Sequence, residues 1–199
     1  MAYSDFNLPL VKQAFNLTTF EKVNIFANSP ELECSPLLSE ILNYNVPIAI
    51  ASNSEKARSE MIISPILIDL RKQLKEKINL FSGIDFTVDI PSGLNGNCDF
   101  IISLSPEMLV LTAPVAIIVE AKKENINGGL GQCIAEMVAA KIFNERYANE
   151  LPIIYGAVTT GTNWRFLQLE NQVVSIDLNE YYLQNINKIL GILANGIQT

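Results

Sequence analysis

The sequence predicts an α/β protein of three layers, α/β/α, with helices on both faces of a central mixed sheet. Three observations carry that reading. Apolar runs of strand length alternate with longer helical patterns in the order α-βββ-α-ββ-α, which suits a mixed sheet covered on both faces. One of those runs, Pro114-Val-Ala-Ile-Ile-Val-Glu-Ala-Lys-Lys123, is apolar on both of its faces, as a central strand is. The chain has 199 residues, 49% of them hydrophobic and 18% charged, enough for one domain to bury a core without disulfides.

Taken in order, Asp5 to Asn28 reads as a helix with an apolar stripe through Leu10, Ala14, Leu17 and Val23. A connector interrupted by Pro30, Pro36 and Pro47 follows, helical in part around Leu37 to Leu42. Its run Pro47-Ile-Ala-Ile-Ala51 fits either a strand or a buried loop. Residues 1–50 are read as an N-terminal helical extension to a core over 54–170, within a single domain spanning 1–199. A helix starts after the Asn53-Ser54 cap and runs to about Asn79, with Pro65 as a kink or restart. Three strands follow over Ile84–Ile90, Cys98–Leu104 and Val115–Lys122, the first two separated by the turn-forming loop Pro91-Ser-Gly-Leu-Asn-Gly-Asn97. The helix from Gly131 to Ala148 is apolar almost all round and is expected to be buried. Strands Ile153–Thr159 and Trp164–Leu169 flank the turn Gly161-Thr-Asn163, a hairpin signal. A strand over Val173–Ile176 and a helix from Asn179 to Leu193 complete the order.

Charge and composition narrow the chemistry. There is no histidine, which excludes Ser-His-Asp and Cys-His catalysis and histidine zinc sites together. Any hydrolysis must run on carboxylates, lysines, amides and hydroxyls, and oxygen ligands favour a hard cation, Mg²⁺ or Mn²⁺. The three cysteines, Cys34, Cys98 and Cys133, are far apart and in no ligand spacing, as expected of buried thiols in a reducing cytoplasm. No stretch is long and apolar enough to span a bilayer, and Met1 to Leu10 lacks the pattern of a signal peptide, so a cytoplasmic location without membrane contact is expected. A net charge of −7 and a pI near 4.7 count against a general nucleic-acid binder, although a carboxylate metal site itself adds negative charge.

Four positions stand out. Glu120 and Lys122 end the apolar strand and, two apart, share a face. Asp99 is the one charge on Cys98-Asp-Phe-Ile-Ile-Ser-Leu104. If the two strands are antiparallel neighbours with pairs 104/115, 101/118 and 99/120, Asp99 and Glu120 lie side by side. Opposed like charges destabilise a strand pair but suit a shared divalent ion. On the helix after Ser54, the stripe Ile63, Leu67, Leu70, Leu74 extends back to Glu60, a carboxylate in line with buried positions. On the later helix Gln132 and Glu136 interrupt an otherwise apolar element.

Glu60, then Asp99, then Glu120-Ala-Lys122, then Gln132 on the next helix resembles the PD-(D/E)XK nuclease superfamily, of restriction endonuclease-like fold, over roughly Lys56 to Leu169. Lys56-Ala-Arg-Ser-Glu60 and Gly129-Leu-Gly-Gln-Cys133 also resemble segments of an uncharacterised member family. The resemblance implies Asp99 and Glu120 as metal ligands, Glu60 as a helical acid assisting them and Lys122 orienting the attacking water. It implies Gln132 as the helix glutamine of the RecB-type branch. Two positions depart from it: Cys98 stands where Pro is usual, and Glu136 where that branch often has Tyr. The implied activity is Mg²⁺- or Mn²⁺-dependent hydrolysis of phosphodiesters, with nucleic acid as the partner, DNA ahead of RNA, and a homodimer left open. The rival is a non-catalytic binding or assembly module on the same fold; an acidic DNA mimic is a third reading.

Each feature also has a plain explanation. Glu-x-Lys at a strand end usually marks emergence into solvent, Asp99 suits a turn, and Glu60 suits a solvated first helical turn. Gly128-Gly-Leu-Gly131 lacks the Lys-Ser/Thr of a phosphate loop. Lys56, Arg58, Arg71, Lys72, Lys75 and Lys77 form a basic stretch better explained as a solvated face. Trp164 is better explained as core than as a platform for a base.

Overall fold

The computed structural model describes residues 1–198. Eight strands among these residues form one mixed sheet, with β1 (Thr18–Lys22), β2 (Asn79–Asp85), β3 (Asn97–Ser103), β4 (Val115–Ala121), β5 (Ile153–Thr159), β6 (Asn163–Glu170) and β7 (Val173–Asp177) in spatial order β1-β7-β6-β5-β4-β3-β2. The two-residue β8 (Tyr181–Tyr182) pairs with β6. β1/β7 and β4/β5 are parallel and the other pairs antiparallel. The helices are α1 (Leu8–Phe15), α2 (Pro36–Ser52), α3 (Glu55–Arg58), α4 (Ser64–Gln73), α5 (Ile126–Arg146) and α6 (Ile186–Gln198).

Strand alternation divides the core in two. Phe100, Ile102, Ile117, Val119 and Ala157 pack with α2, α4 and α6 on one face. Ile101, Ile118, Ile154, Val158 and Leu167 pack with α1 and α5 on the other. β4 is buried at all seven positions, as its Val/Ile-rich run predicts. A bulge between Ile102 and Ser103 shifts the β3/β4 register and leaves Ala116 and Ile117 on the same face.

Several predicted elements are corrected. Asp5–Asn28 is not one helix: α1 ends at Phe15, capped by Asn16 in the left-handed conformation, and Thr18–Lys22 adds an edge strand to the sheet. Pro47-Ile-Ala-Ile-Ala51 is neither strand nor loop but the last turns of α2, which carries Pro47 in its interior. The helix expected to reach Asn79 stops at Gln73, and the following strand is β2 at Asn79–Asp85 instead of Ile84–Ile90. The expected pair 104/115 is 103/115, displaced by the bulge, whereas 101/118 is observed. The hairpin strands and the buried helix lie where predicted, the helix starting earlier, at Ile126.

Two contacts seat α5, the helix that carries Gln132. The Asn144 side chain docks on the first residue of β4 like a strand neighbour: its Oδ1 accepts from Val115 N at 2.7 Å and its Nδ2 donates to Val115 O at 2.8 Å. At Gly131 the backbone of Asn7 crosses so closely that a Cβ would lie 2.3 Å from its carbonyl carbon. Gly131→Ala must therefore displace backbone and is expected to cost about 1–3 kcal/mol in urea unfolding. Gly156→Ala meets the Met137 sulfur at 2.4 Å, the movable end of a flexible side chain, and should cost less. The reverse order of the two midpoints would contradict this packing.

Candidate functional site

β3 and β4 part company at their ends, and the polar cluster forms there. Phe100 pairs with Val119, so Asp99 stands one residue further along, level with Glu120. Asp99 Oδ2 accepts from Ala121 N at 2.8 Å, a carboxylate taking the place of a ladder carbonyl. Beyond it β4 stays joined to its other neighbour, with Lys122 N donating to Thr159 O at 2.8 Å.

Glu120 is 1% exposed. Its Oε1 accepts from Lys122 Nζ at 2.5 Å, and its Oε2 is buried with no hydrogen-bond partner. Burial, then the neighbouring Asp99 charge, push its pKa up to about 8, with Lys122 pulling the other way. Burial works against the Lys122 ammonium, but Glu120, Glu55 and Asp99 outweigh it and hold the lysine above its ordinary value. Lys122 Nζ also donates to Gln132 Oε1 at 3.1 Å, and Gln132 Nε2 donates to Glu136 Oε1 at 3.1 Å. Glu136 is fully buried, with its Oε2 unpartnered, and burial followed by the Glu120 charge raises it well above the carboxylate range. Helix α5 passes over Lys122 at Gly129, where a Cβ would lie 3.0 Å from Lys122 Cε. The glycines at 129 and 131 thus serve close packing, and Gly128 to Gly131 lie within the helix.

Asp99, Glu120, Lys122 and Gln132 are therefore brought together, and Glu60 is not. Glu60 is exposed and paired with Lys56 at 2.8 Å. It lines a pocket of about 240 Å³ together with Asp99, Ala121, Ser82 and Glu55, at the rim of the cluster and outside the expected buried stripe. The cause is local: Ser59–Ile63 forms a π-type turn, with Ser64 N–H donating to Ser59 O, and the wider turn breaks the regular period used to place Glu60. Among the described residues no three carboxylates, thiols or imidazoles are arranged to hold one ion. The converging acids are the two on the strands.

Two further acids belong to the cluster, and the sequence alone assigns them no role. Glu55 accepts from Lys123 N at 3.1 Å, and nothing in its first-turn position distinguishes it from an ordinary helical acid. Glu136 did carry a signal, as a charge inside an apolar helix one turn after Gln132. Trp164 is fully buried and donates to Gly161 O at 3.0 Å, so it is core and not a base platform. Of the basic stretch, Arg58 is committed to Thr160 O at 3.0 Å, and Arg71 to Asn79 and Glu76.

The raised carboxyl at Glu120 has a definite consequence for stability. The folded state holds that proton more tightly than the unfolded chain, whose carboxyl has the ordinary value of 4.5. The stabilisation is complete below about that pH and is lost as pH rises through about 8, at up to about 1.4 kcal/mol per pH unit. Glu136 acts in the same direction. In chelator the melting temperature should fall from about pH 5 to about pH 8.5, and Glu120→Gln should flatten the fall and melt above the parent at the alkaline end. A melting temperature that climbs over this interval would contradict the buried pair.

No helix among the described residues is long and apolar enough to cross a membrane. Comparison of the chain with protein-family models, with curated proteins and with solved structures finds no match.

Proposed function

We propose that the chain is a divalent-metal-dependent nuclease of PD-(D/E)XK type, with Mg²⁺ or Mn²⁺ held by Asp99 and Glu120 and with DNA as substrate. The observation that carries the proposal is the buried Glu120, whose Oε1 is taken by Lys122 and whose Oε2 lacks a partner while Asp99 lies beside it. An unpartnered buried carboxylate oxygen beside a second acid is costly unless something positive completes it. Two carboxylates do not enclose a cation, but Mg²⁺ is commonly held by one or two carboxylates together with waters and substrate phosphate oxygens. The donor set fits that mode, and Glu60 at the pocket rim is left to contact water or substrate.

A cation held by Asp99 and Glu120 would supply Lewis-acid polarisation of the phosphate and a lowered pKa for the attacking water. This chain's residues do the rest. Asp99 and Glu120 fix the position of positive charge at the end of β4. The Lys122 ammonium, held by Glu120 and Gln132, has a third N–H for a phosphate oxygen or for the water, and stabilises negative charge as it builds. On this reading a substrate phosphate would approach Asp99 through the pocket lined by Glu55 and Lys56 of α3 and by Ser82 and Gly83 of β2.

Melting curves and labelled DNA and RNA with Mg²⁺, Mn²⁺ or matched monovalent salt test the proposal. Divalent ions should raise the melting temperature and monovalent salt should not, which separates ligation from screening. Asp99→Asn should weaken that rise, and Lys122→Ala should keep most of it while lowering cleavage about 100-fold or more. Metal binding by Asp99→Asn equal to that of the parent rules out this site. A metal-induced rise with no cleavage of any substrate makes the chain a non-catalytic module.

A further inference from the structure

Glu136 is a costly residue with no evident structural duty. It is wholly enclosed by helix and sheet, and its neighbours on α5 include Cys133, Ala135, Met137, Ala139 and Ala140, all fully buried. It caps no helix and ties no two elements together. Among the described residues its one hydrogen bond runs one turn back along its own helix, accepting from Gln132 Nε2 at 3.1 Å, and its other oxygen is unpartnered. An apolar side chain there would avoid the desolvation cost entirely.

What Glu136 changes is the orientation of an amide. The two ends of the Gln132 amide are nearly alike in shape but opposite in hydrogen-bonding sense. Glu136 Oε1 accepts from Gln132 Nε2, so the amide nitrogen is the end that faces inward. The amide oxygen is then left facing Lys122 Nζ, at 3.1 Å. In the flipped orientation the amide would present N–H to an ammonium, which has no acceptor to offer. With Gln132 fixed this way, Lys122 has two acceptors, Glu120 Oε1 and Gln132 Oε1, set on neighbouring elements.

We infer that Glu136 is a positioning residue for Lys122, acting through Gln132: it sets the amide so that its oxygen holds the ammonium at the mouth of the Asp99–Glu120 pair. The link to cleavage rests on the proposed nuclease reading; the link to the lysine does not. Glu136 touches neither phosphate nor the reacting water.

The experiment reads the lysine directly. Folded protein is labelled with trace acetic anhydride at one fixed pH in chelator, and the acetylation rate of each lysine is measured by peptide mass spectrometry. Glu136→Met removes the acceptor and frees the amide. The rate at Lys122 should then rise about tenfold, as expected for loss of one hydrogen bond to a charged group, while Lys12 and Lys188 serve as unchanged internal references. Glu136→Gln keeps a carbonyl oxygen able to accept from Gln132 and should restore the parental rate. Gln132→Leu should raise Lys122 labelling as Glu136→Met does, and the double variant should add nothing further. A parental Lys122 rate in folded Glu136→Met overturns the inference, as does full additivity in the double variant. If Glu136→Met does not fold, Glu136→Ala, which also lacks an acceptor, takes its place: a fast Lys122 supports the inference and a parental rate overturns it. Should the parent protein cleave no nucleic acid, the nuclease proposal fails while the lysine result stands or falls separately. Where cleavage is measured, Glu136→Met should lower kcat and leave KM near the parental value.

Discussion

The burial of Glu120 is the constraint on which the rest of the site depends. β4 is covered on both faces along its whole length, so a carboxylate near its end is carried into the core by the hydrophobic residues that precede it. No local freedom of the side chain relieves this, because the strand is pinned between β3 and β5 and by the Asn144 amide at its start. Lys122 is the compensation the sequence provides, on the same face two residues later. It neutralises one oxygen at 2.5 Å and leaves the other bare. A buried pair of this kind is weak as a source of stability and strong as a device for fixing charge in space.

The opening beside Glu120 follows from how the two strand pairs end. Asp99 takes the N–H of Ala121 with a side-chain oxygen, so β3 and β4 stop exchanging backbone bonds there, while β4 and β5 continue through Lys122 and Thr159. One neighbour leaves and the other stays. The pocket there is lined by Asp99 and Ala121 of the strands and, opposite them, by Glu55 and Lys56 of α3, with Glu55 also accepting from Lys123 N. Gly129 and Gly131 let α5 and the Asn7 segment close over the opposite side, which brings Gln132 down onto the lysine.

Legibility in the sequence tracked burial. β4, β5 and β6 and the long apolar helix are elements whose neighbours cover them, and hydrophobic pattern locates them directly. β1 is an edge strand with four of five residues exposed, so Thr-Thr-Phe-Glu-Lys carries no alternation to read, and it was absorbed into a helix. α4 ends without a glycine: Lys75 and Glu76 adopt the left-handed conformation that usually signals Gly or Asn, which removes the stop signal and shifts β2. Pro47 signals an interruption, yet α2 continues through it. At the site, Asp99, Glu120, Lys122 and Gln132 were legible because strand parity and a helical first turn place them rigidly. Glu60 was not, because one π-type turn between Ser59 and Ile63 invalidates a helical phase extrapolated from Ile63 to Leu74.

The net charge of −7 bears on how such a site would hold a polyanion. Five of the fourteen lysines and arginines are ion-paired among the described residues: Lys56 with Glu60, Arg71 with Glu76, Lys122 with Glu120, Lys141 with Glu145 and Arg165 with Glu180. Lys188 is spent on the carbonyls of Ala27 and Ser29, and Arg58 on that of Thr160. With a net charge of −7 and these groups committed, the chain brings little positive charge to the release of counterions from a duplex, which is the usual source of salt-sensitive affinity. On the nuclease reading, attraction for phosphate must then be concentrated at one point, where Asp99 and Glu120 would hold a cation and Lys122 has an N–H to spare. The acidic composition and the proposed activity are compatible on those terms, with the positive charge supplied at the site and not spread across a face.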